Sequence, residues 1–303
     1  MKNSPYVIAD VFTDRQFGGN QLAVFYEAEG IDSATMQNIA REMNYSETTF
    51  LLPPERGGDF RLRIFTPQRE LPFAGHPLVG TANVIVARKM KQWSDPLTSV
   101  TLETGVGDIL VRVRTEGEKA GHTQMNQPLP QVKTRFTDTE RFARALSIDP
   151  AEIAKTELPI EAIYNGITTV IAPVASIEAV RKIKTDSGAL ESICEELDAQ
   201  TVTVFTRETI SPESAAHCRV FAPAAGVAED AATGSANGPL GFYIVRHRLV
   251  DVQPTTQIIS EQGYEMNRPS TLHIEVDSER DAITAVRVGG SVVISGQGEI
   301  FLP

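Results

Sequence analysis

A chain of 303 residues is longer than the length at which a single hydrophobic core stops growing, so about two domains are expected. With 28 Lys and Arg against 39 Asp and Glu, the net charge of −11 repels polyanions, and no basic cluster with interleaved aromatics offsets it; a nucleic-acid partner is not expected. No stretch approaches the ~18 uninterrupted apolar residues of a membrane helix, and the opening residues lack the apolar region of a secretory signal, so a soluble cytoplasmic protein with no membrane partner is expected.

In chain order, alternation and β-branched content predict strands near residues 7–12 and 22–25, a helix over 33–43 opened by a Ser33 cap, then strands near 48–52 and 60–65. A second helix begins at His76-Pro77, where proline suits the first helical position, and runs through small residues toward Lys89; strands near 100–103 and 109–113 follow. Turn residues in Gln127-Pro-Leu-Pro-Gln131 mark a domain boundary. Beyond it the plan repeats, with helices at 138–146, 176–184 and 188–197, strands near 168–172, 202–206 and 217–221, and a helix from about 232 to 246. One helix in each half is apolar or small on nearly all faces and should be buried all round. Each half is therefore expected to be a curved, mostly antiparallel sheet around one central helix, an α+β arrangement. Pro239 inside the second of these helices should kink it unless Gly238 and Gly241 absorb the strain.

Two stretches look like copies of each other. Arg63-Ile-Phe-Thr-Pro67 leads to Gly80-Thr-Ala-Asn83, and Arg219-Val-Phe-Ala-Pro223 leads to Gly234-Ser-Ala-Asn237. The first pair is offset by 156 residues and the second by 154, a register that sets His76 opposite Asp230. Two duplicated halves would then bring these two ionisable residues to one cleft, each at the start of a helix. A helix start presents unpaired N–H groups and a partial positive charge, which suits a small carboxylate, and Gly75 and Gly234 would allow close approach. Taken singly, each motif has an ordinary explanation, since Asp and His cap helices and Gly-Ser-Ala packs them. Glu47, in a polar triplet before an apolar strand, reads by itself as a solvated surface group, and Asn20 in Gly-Gly-Asn reads as a turn. Cys194 and Cys218 lie in no metal-ligand spacing and read as packing residues, so no metal site is expected.

Together these residues resemble the PhzF-like family of phenazine-biosynthesis isomerases, which has the diaminopimelate epimerase-like fold. The resemblance is carried by Asp10-Val-Phe-Thr-Asp-Arg-Gln-Phe-Gly-Gly-Asn20, Arg41-Glu-Met-Asn-Tyr-Ser-Glu-Thr-Thr-Phe50, Arg63 through Gly75-His-Pro77, and Asp230-Ala-Ala-Thr-Gly-Ser-Ala236. It implies an N-terminal domain of residues 1–126 plus about 290–303, a C-terminal domain of 127–289, an active site in the cleft between them, and commonly a homodimer. It also implies a cofactor-independent isomerase that moves a proton between carbons of a small amino- or hydroxy-carboxylic acid. Glu47 would then be the general acid/base, and His76, Asp230 and Ser235 its support. Ala231 stands where many members carry proline. The related racemases use two facing cysteines; His76 and Asp230 stand at the matching helix starts here, which excludes a two-thiol mechanism. Such a Glu47 works best with its pKa raised by partial burial. Gly75, Gly234, Ser235 and Asn20 are the expected substrate contacts, with selectivity set by Asn20, Tyr45 and the loop before Asp230. Two rival readings are an epimerase on a similar substrate and a non-catalytic protein that binds small carboxylates.

Overall fold

The computed structural model describes residues 3–117, 119–223, 226–280 and 282–302. The chain divides into two units, Met1–Asn126 with Gly289–Pro303, and Gln127–Val288. The first runs through β1 (Asn3–Val11), β2 (Asn20–Phe25), α1 (Ser33–Met43), β3 (Glu47–Leu52), β4 (Phe60–Phe65), β5 (Glu70–Leu71), α2 (Gly75–Ala87), β6 (Leu97–Thr104), β7 (Gly107–Glu116) and β8 (Lys119–Gln127). The second runs through β9 (Gln131–Phe136), α3 (Thr139–Leu146), α4 (Pro150–Ala154), β10 (Ile160–Tyr164), β11 (Thr168–Pro173), α5 (Ile177–Lys182) and α6 (Ser187–Glu196). It continues with β12 (Thr201–Thr206), β13 (Ala216–Ala222), β14 (Val227–Asp230), α7 (Gly234–Arg246), β15 (Thr255–Gln262), β16 (Ser270–Glu279) and β17 (Ala282–Gly290). The last strand, β18 (Val292–Phe301), pairs antiparallel with β1.

Both units follow one plan. In the first, β1 and β2 are antiparallel, β2 and β3 parallel, β3 and β4 antiparallel, β4 and β6 parallel, and β6 and β7 antiparallel. The second repeats this order through β10, β11, β12, β13, β15 and β16, so each sheet is mixed rather than purely antiparallel. Each plan includes a short extra strand on the fourth, β5 on β4 and β14 on β13. A fork is duplicated as well. Arg63 donates Nε and Nη2 to the two carboxylate oxygens of Glu70 at 2.7 and 2.6 Å. Arg219 does the same to Glu229 at 2.9 and 2.7 Å, and each guanidinium lies over a phenylalanine two residues on.

The duplicated structure corrects the register read from the sequence. The two central helices have equal lengths of 13 residues and begin at Gly75 and Gly234, 234 − 75 = 159 residues apart. Ile64 pairs with Leu71, and its counterpart Val220 pairs with Asp230, again 230 − 71 = 159. By element, therefore, His76 matches Ser235, while Asp230 ends strand β14 and does not open a helix. The Gly-Thr-Ala-Asn and Gly-Ser-Ala-Asn motifs lie at different depths, since Gly80 is the sixth residue of α2 and Gly234 the first of α7.

All residues of α2 and α7 except the last are buried, as expected of helices that are apolar on every face. The first sheet surrounds α2 with β1, β2, β3, β6, β7 and β18, and the second packs β11, β12, β15 and β16 against α7. Outside the first sheet, α1 closes a core in which Phe25 stacks on Phe50 and Phe65 meets Phe50 edge to face; the second unit's outer core gathers Phe142, Leu146, Leu190 and Ile193 beneath α3, α5 and α6. The cap of α1 is Asp32, whose carboxylate accepts from Thr35 N at 2.9 Å; Ser33 is the first helical residue. Pro239 is met by side chains. It has no N–H for the Ser235 carbonyl four residues back, and Asn165 Nδ2 donates to that carbonyl at 2.9 Å. Gly238 leaves room for the Gln127 side chain, and Gly241 for Ile274.

Candidate functional site

In the first unit the residues singled out by sequence meet at the starts of three elements. Asn20 begins β2, Glu47 begins β3 in parallel register with Leu22, and His76 is the second residue of α2. A turn delivers Asn20 to this place. Asp10 Oδ2 accepts from Phe17 N at 2.9 Å, and Gly19 follows with φ of 62°, where an added Cβ would sit 2.3 Å from Val11 O. Only glycine fits there. Helix α2 is pinned against β3 by the Thr49 and Thr81 hydroxyls, 3.0 Å apart, which fixes His76 relative to Glu47.

His76 is 3% exposed. Asn20 Nδ2 lies 3.3 Å from its Nδ1, leaving Nε2 as the other ring nitrogen. That Nε2 is buried, makes no hydrogen bond among the described residues, and lies 3.5 Å from Glu47 Oε2. Burial pushes the His76 pKa down to about 3, and a backbone contact with Gln21 offsets only part of this. The ring is therefore neutral near pH 7. It acts as a hydrogen-bonding group beside a partly exposed carboxylate, not as a cation paired with it. Because the folded pKa lies below the ordinary value, His76 lowers stability progressively as pH falls below ~6.5. Its ring NMR signals are expected to stay at neutral-imidazole positions from pH 8 down to about 4, and a midpoint near 6.5 would contradict the buried neutral ring.

The second unit assembles the other half of the candidates. Asp230 Oδ2 accepts from Thr233 Oγ1 at 2.5 Å. Gln262, fully buried at the end of β15, donates to Asp230 O at 2.7 Å and to Thr233 Oγ1 at 3.1 Å. Its Oε1 accepts from Thr233 N at 3.1 Å and Asn237 Nδ2 at 3.0 Å, so one amide fixes the whole entry to α7. Ser235, nearly buried, is the second residue of that helix. Helices α1, α3, α4, α5 and α6 each have an Asp or Ser side chain capping the N-terminus, whereas α2 and α7 have none. His76 therefore does not cap its own helix. Both uncapped starts keep the anion-binding character of a helix N-terminus.

Tyr45, expected at the cleft mouth, is half-buried and packs against the Phe25–Phe50–Phe65 core. Residues 224 and 225, in the loop before Asp230, lie outside the described residues. Cys194 and Cys218 are buried free thiols, and burial pushes them up to about 11 and about 12 respectively, values that suit packing and not nucleophilic chemistry. Among the described residues no group of three or more His, Cys, Asp or Glu is arranged to hold a metal ion, and no helix is long and apolar enough to cross a membrane. Sequence reasoning missed Gln262, Thr233, Asn165 and Gln127. Thr233 stood inside a quoted motif and Gln127 inside the boundary segment, but Gln127, Asn165 and Gln262 are joined to α7 only through tertiary contacts.

Comparison with known proteins gives the family and the fold. The family model described as phenazine biosynthesis-like protein matches residues 9–298. The trans-2,3-dihydro-3-hydroxyanthranilate isomerase of Pseudomonas fluorescens is 37% identical over 98% of this chain and 99% of its own length. The crystal structure of a PhzF-family phenazine biosynthesis protein from Bacillus anthracis superposes with a TM-score of 0.90 at 26% identity, covering all of both chains. A protein from Pseudomonas aeruginosa described as a predicted epimerase superposes with a TM-score of 0.81 at 30% identity, covering 99% of this chain and all of its own.

Proposed function

The chain belongs to the phenazine biosynthesis-like (PhzC-PhzF) family and is an isomerase, and on that premise we propose that it moves a proton between carbons of a small amino- or hydroxy-carboxylic acid, with Glu47 as the general acid/base. The substrate class is that of trans-2,3-dihydro-3-hydroxyanthranilate, on which its Pseudomonas relative acts. In this scheme a Glu47 oxygen takes a proton from an sp³ carbon beside an unsaturated system, the electron pair delocalises into that system, and the same carboxyl returns the proton to another carbon. The reaction is redox-neutral and uses no cofactor. The observation that carries the reading is the His76 Nε2, a buried polar atom with no hydrogen-bond partner among the described residues, 3.5 Å from the Glu47 carboxylate. A substrate hydroxyl or amino group hydrogen-bonded to Nε2 lies within reach of Glu47, and Asn20 holds the ring in the required orientation. Asp230 orients a second polar group of the substrate. Ser235, at the glycine-led start of α7, holds its carboxylate.

Positioned proton transfer supplies about 10²–10⁴-fold, so the remaining acceleration falls to orientation. The test is proton NMR in D₂O with a panel of small unsaturated amino and hydroxy acids that includes trans-2,3-dihydro-3-hydroxyanthranilate. Isomerised product is expected, with deuterium at the carbon that receives the proton to the extent that the Glu47 carboxyl exchanges with solvent before returning it; absence of both isomerised product and exchange across the panel would overturn the reading. The similarity to a predicted epimerase favours one rival, inversion at a single carbon. Deuterium confined to the carbon that lost its proton, with inverted configuration, would select that rival.

A further inference from the structure

We infer that Asn165 and Gln127 are positioning residues for the substrate-binding first turn of α7, made necessary by Pro239. The inference rests on the proposed role of Ser235 and extends it to the groups that hold the turn in place.

An α-helix satisfies each carbonyl with the N–H four residues on. Pro239 has none to give to Ser235 O, and a buried carbonyl without a partner is costly. Both hydrogens of the Asn165 amide are committed at this point, one to Ser235 O at 2.9 Å and one to Gln127 Oε1 at 2.8 Å. Gln127 passes the connection on, donating Nε2 to the carbonyl of Gly234 at 2.8 Å. The first two carbonyls of α7 are thus held by a linked pair of buried amides. Gly238 is part of the same device, since a Cβ there would sit 1.8 Å from Gln127 Oε1.

The ordinary reading of Asn165-Gly166 is a tight turn between β10 and β11, and the pair does make one: Asn165 N donates to Ile167 O at 3.0 Å and Gly166 has φ of 108°. A turn asparagine normally projects into solvent, whereas Asn165 is 1% exposed. Its own Oδ1 is buried and has no hydrogen-bond partner among the described residues. The fold tolerates an unsatisfied acceptor there to place both amide hydrogens, so the donors are what the position requires. Proline in turn brings to this helix a fixed φ at the sixth residue and no competing donor, which leaves the direction of the Ser235 carbonyl under the control of a side chain from outside the helix.

The test is a cycle of four proteins, the wild type, Asn165→Ala, Pro239→Ala and the double variant. Each is assayed for KM and kcat on trans-2,3-dihydro-3-hydroxyanthranilate and for its thermal midpoint. Alone, Asn165→Ala is expected to lower the midpoint and raise KM about tenfold, with kcat within about threefold of wild type. In the Pro239→Ala background the restored N–H takes over the Ser235 carbonyl, and the same change is expected to cost several-fold less in both readouts. Equal penalties in the two backgrounds would overturn the inference, as would rescue of the midpoint with KM never affected, which would leave Asn165 a merely structural residue. Should Asn165→Ala not accumulate as folded protein, recovery of folded protein on adding Pro239→Ala supports the inference, and failure to recover it overturns it. If the wild type turns over no substrate, the proposed function fails separately, and the midpoints alone decide whether Asn165 replaces the missing N–H.

Discussion

Glu47→Gln is expected to reduce turnover by about 10²–10⁴-fold while leaving the fold and ligand binding nearly intact. The amide has almost the volume and hydrogen-bonding reach of the carboxylate, yet it cannot accept and return a proton near neutral pH. Glu47 is 17% exposed at the mouth of β3, and its contact to His76 at 3.5 Å is longer than a hydrogen bond. Because the substitution is nearly isosteric, stability should change by less than about 1 kcal/mol. Glu47→Asp keeps the carboxylate but draws it back by about one bond, and a displacement of that size can cost ~10²-fold when geometry is demanding. The ordering of wild type above Asp above Gln in kcat, with KM roughly constant, separates a proton-transfer group from a binding group. A Glu47→Gln enzyme that incorporates deuterium at the wild-type rate would remove Glu47 from the chemistry and move attention to Asp230.

Much of the architecture was legible because it depends on periodicity. The apolar, small-residue runs after Gly75 and Gly234 could only be buried helices, and they are. The duplicated Arg-x-Phe strand motif was a true internal repeat, visible again as the two Arg–Glu forks. The second repeated motif misled, because Gly-Ser-Ala-Asn suits a buried helix at more than one depth and small-residue packing does not fix register. Asp230 was consequently placed at a helix start when it ends a strand. Strand β18 did not appear in the alternation pattern. Its Gly296 and Gly298 look like breakers, yet they face Ile8 and Tyr6 of β1, and a Cβ at Gly298 would meet the Tyr6 hydroxyl at 2.8 Å. For the site, Glu47 carried no local signal of its own and was assigned by resemblance. What sequence could not supply was the tertiary support: Asn165 and Gln262 are polar residues far from α7 in the chain, and no spacing rule links them to it.

His217→Leu is expected to be the most destabilising single change outside the site. His217 lies on β13, fully buried, with Nδ1 2.9 Å from Glu261 Oε1 and Nε2 3.0 Å from Glu265 Oε1. Glu261 is committed further, accepting from the backbone N–H groups of Ile210 and Ser211 at 2.6 and 3.0 Å. Burial alone would push the imidazolium down, but the two carboxylates outweigh it and raise the pKa to about 9. The same contacts hold both carboxyls below their ordinary values despite their own burial. Leucine would leave two buried carboxylates facing each other without the cation, a loss of about 3–5 kcal/mol. Adding Glu265→Gln should return part of it by removing one of the uncompensated charges. The pH dependence gives a second readout. A folded pKa raised above ~6.5 contributes stability that is complete below that value and is lost as pH rises through about 9. The wild type should accordingly weaken between pH 7 and 9.5 in denaturant unfolding. Cys218, pushed up to about 12, does not titrate in this window. His217→Leu should begin less stable and lack that alkaline decline. An alkaline decline of wild-type size in the variant would mean that other groups, and not the His217 bridge, control stability above neutral pH.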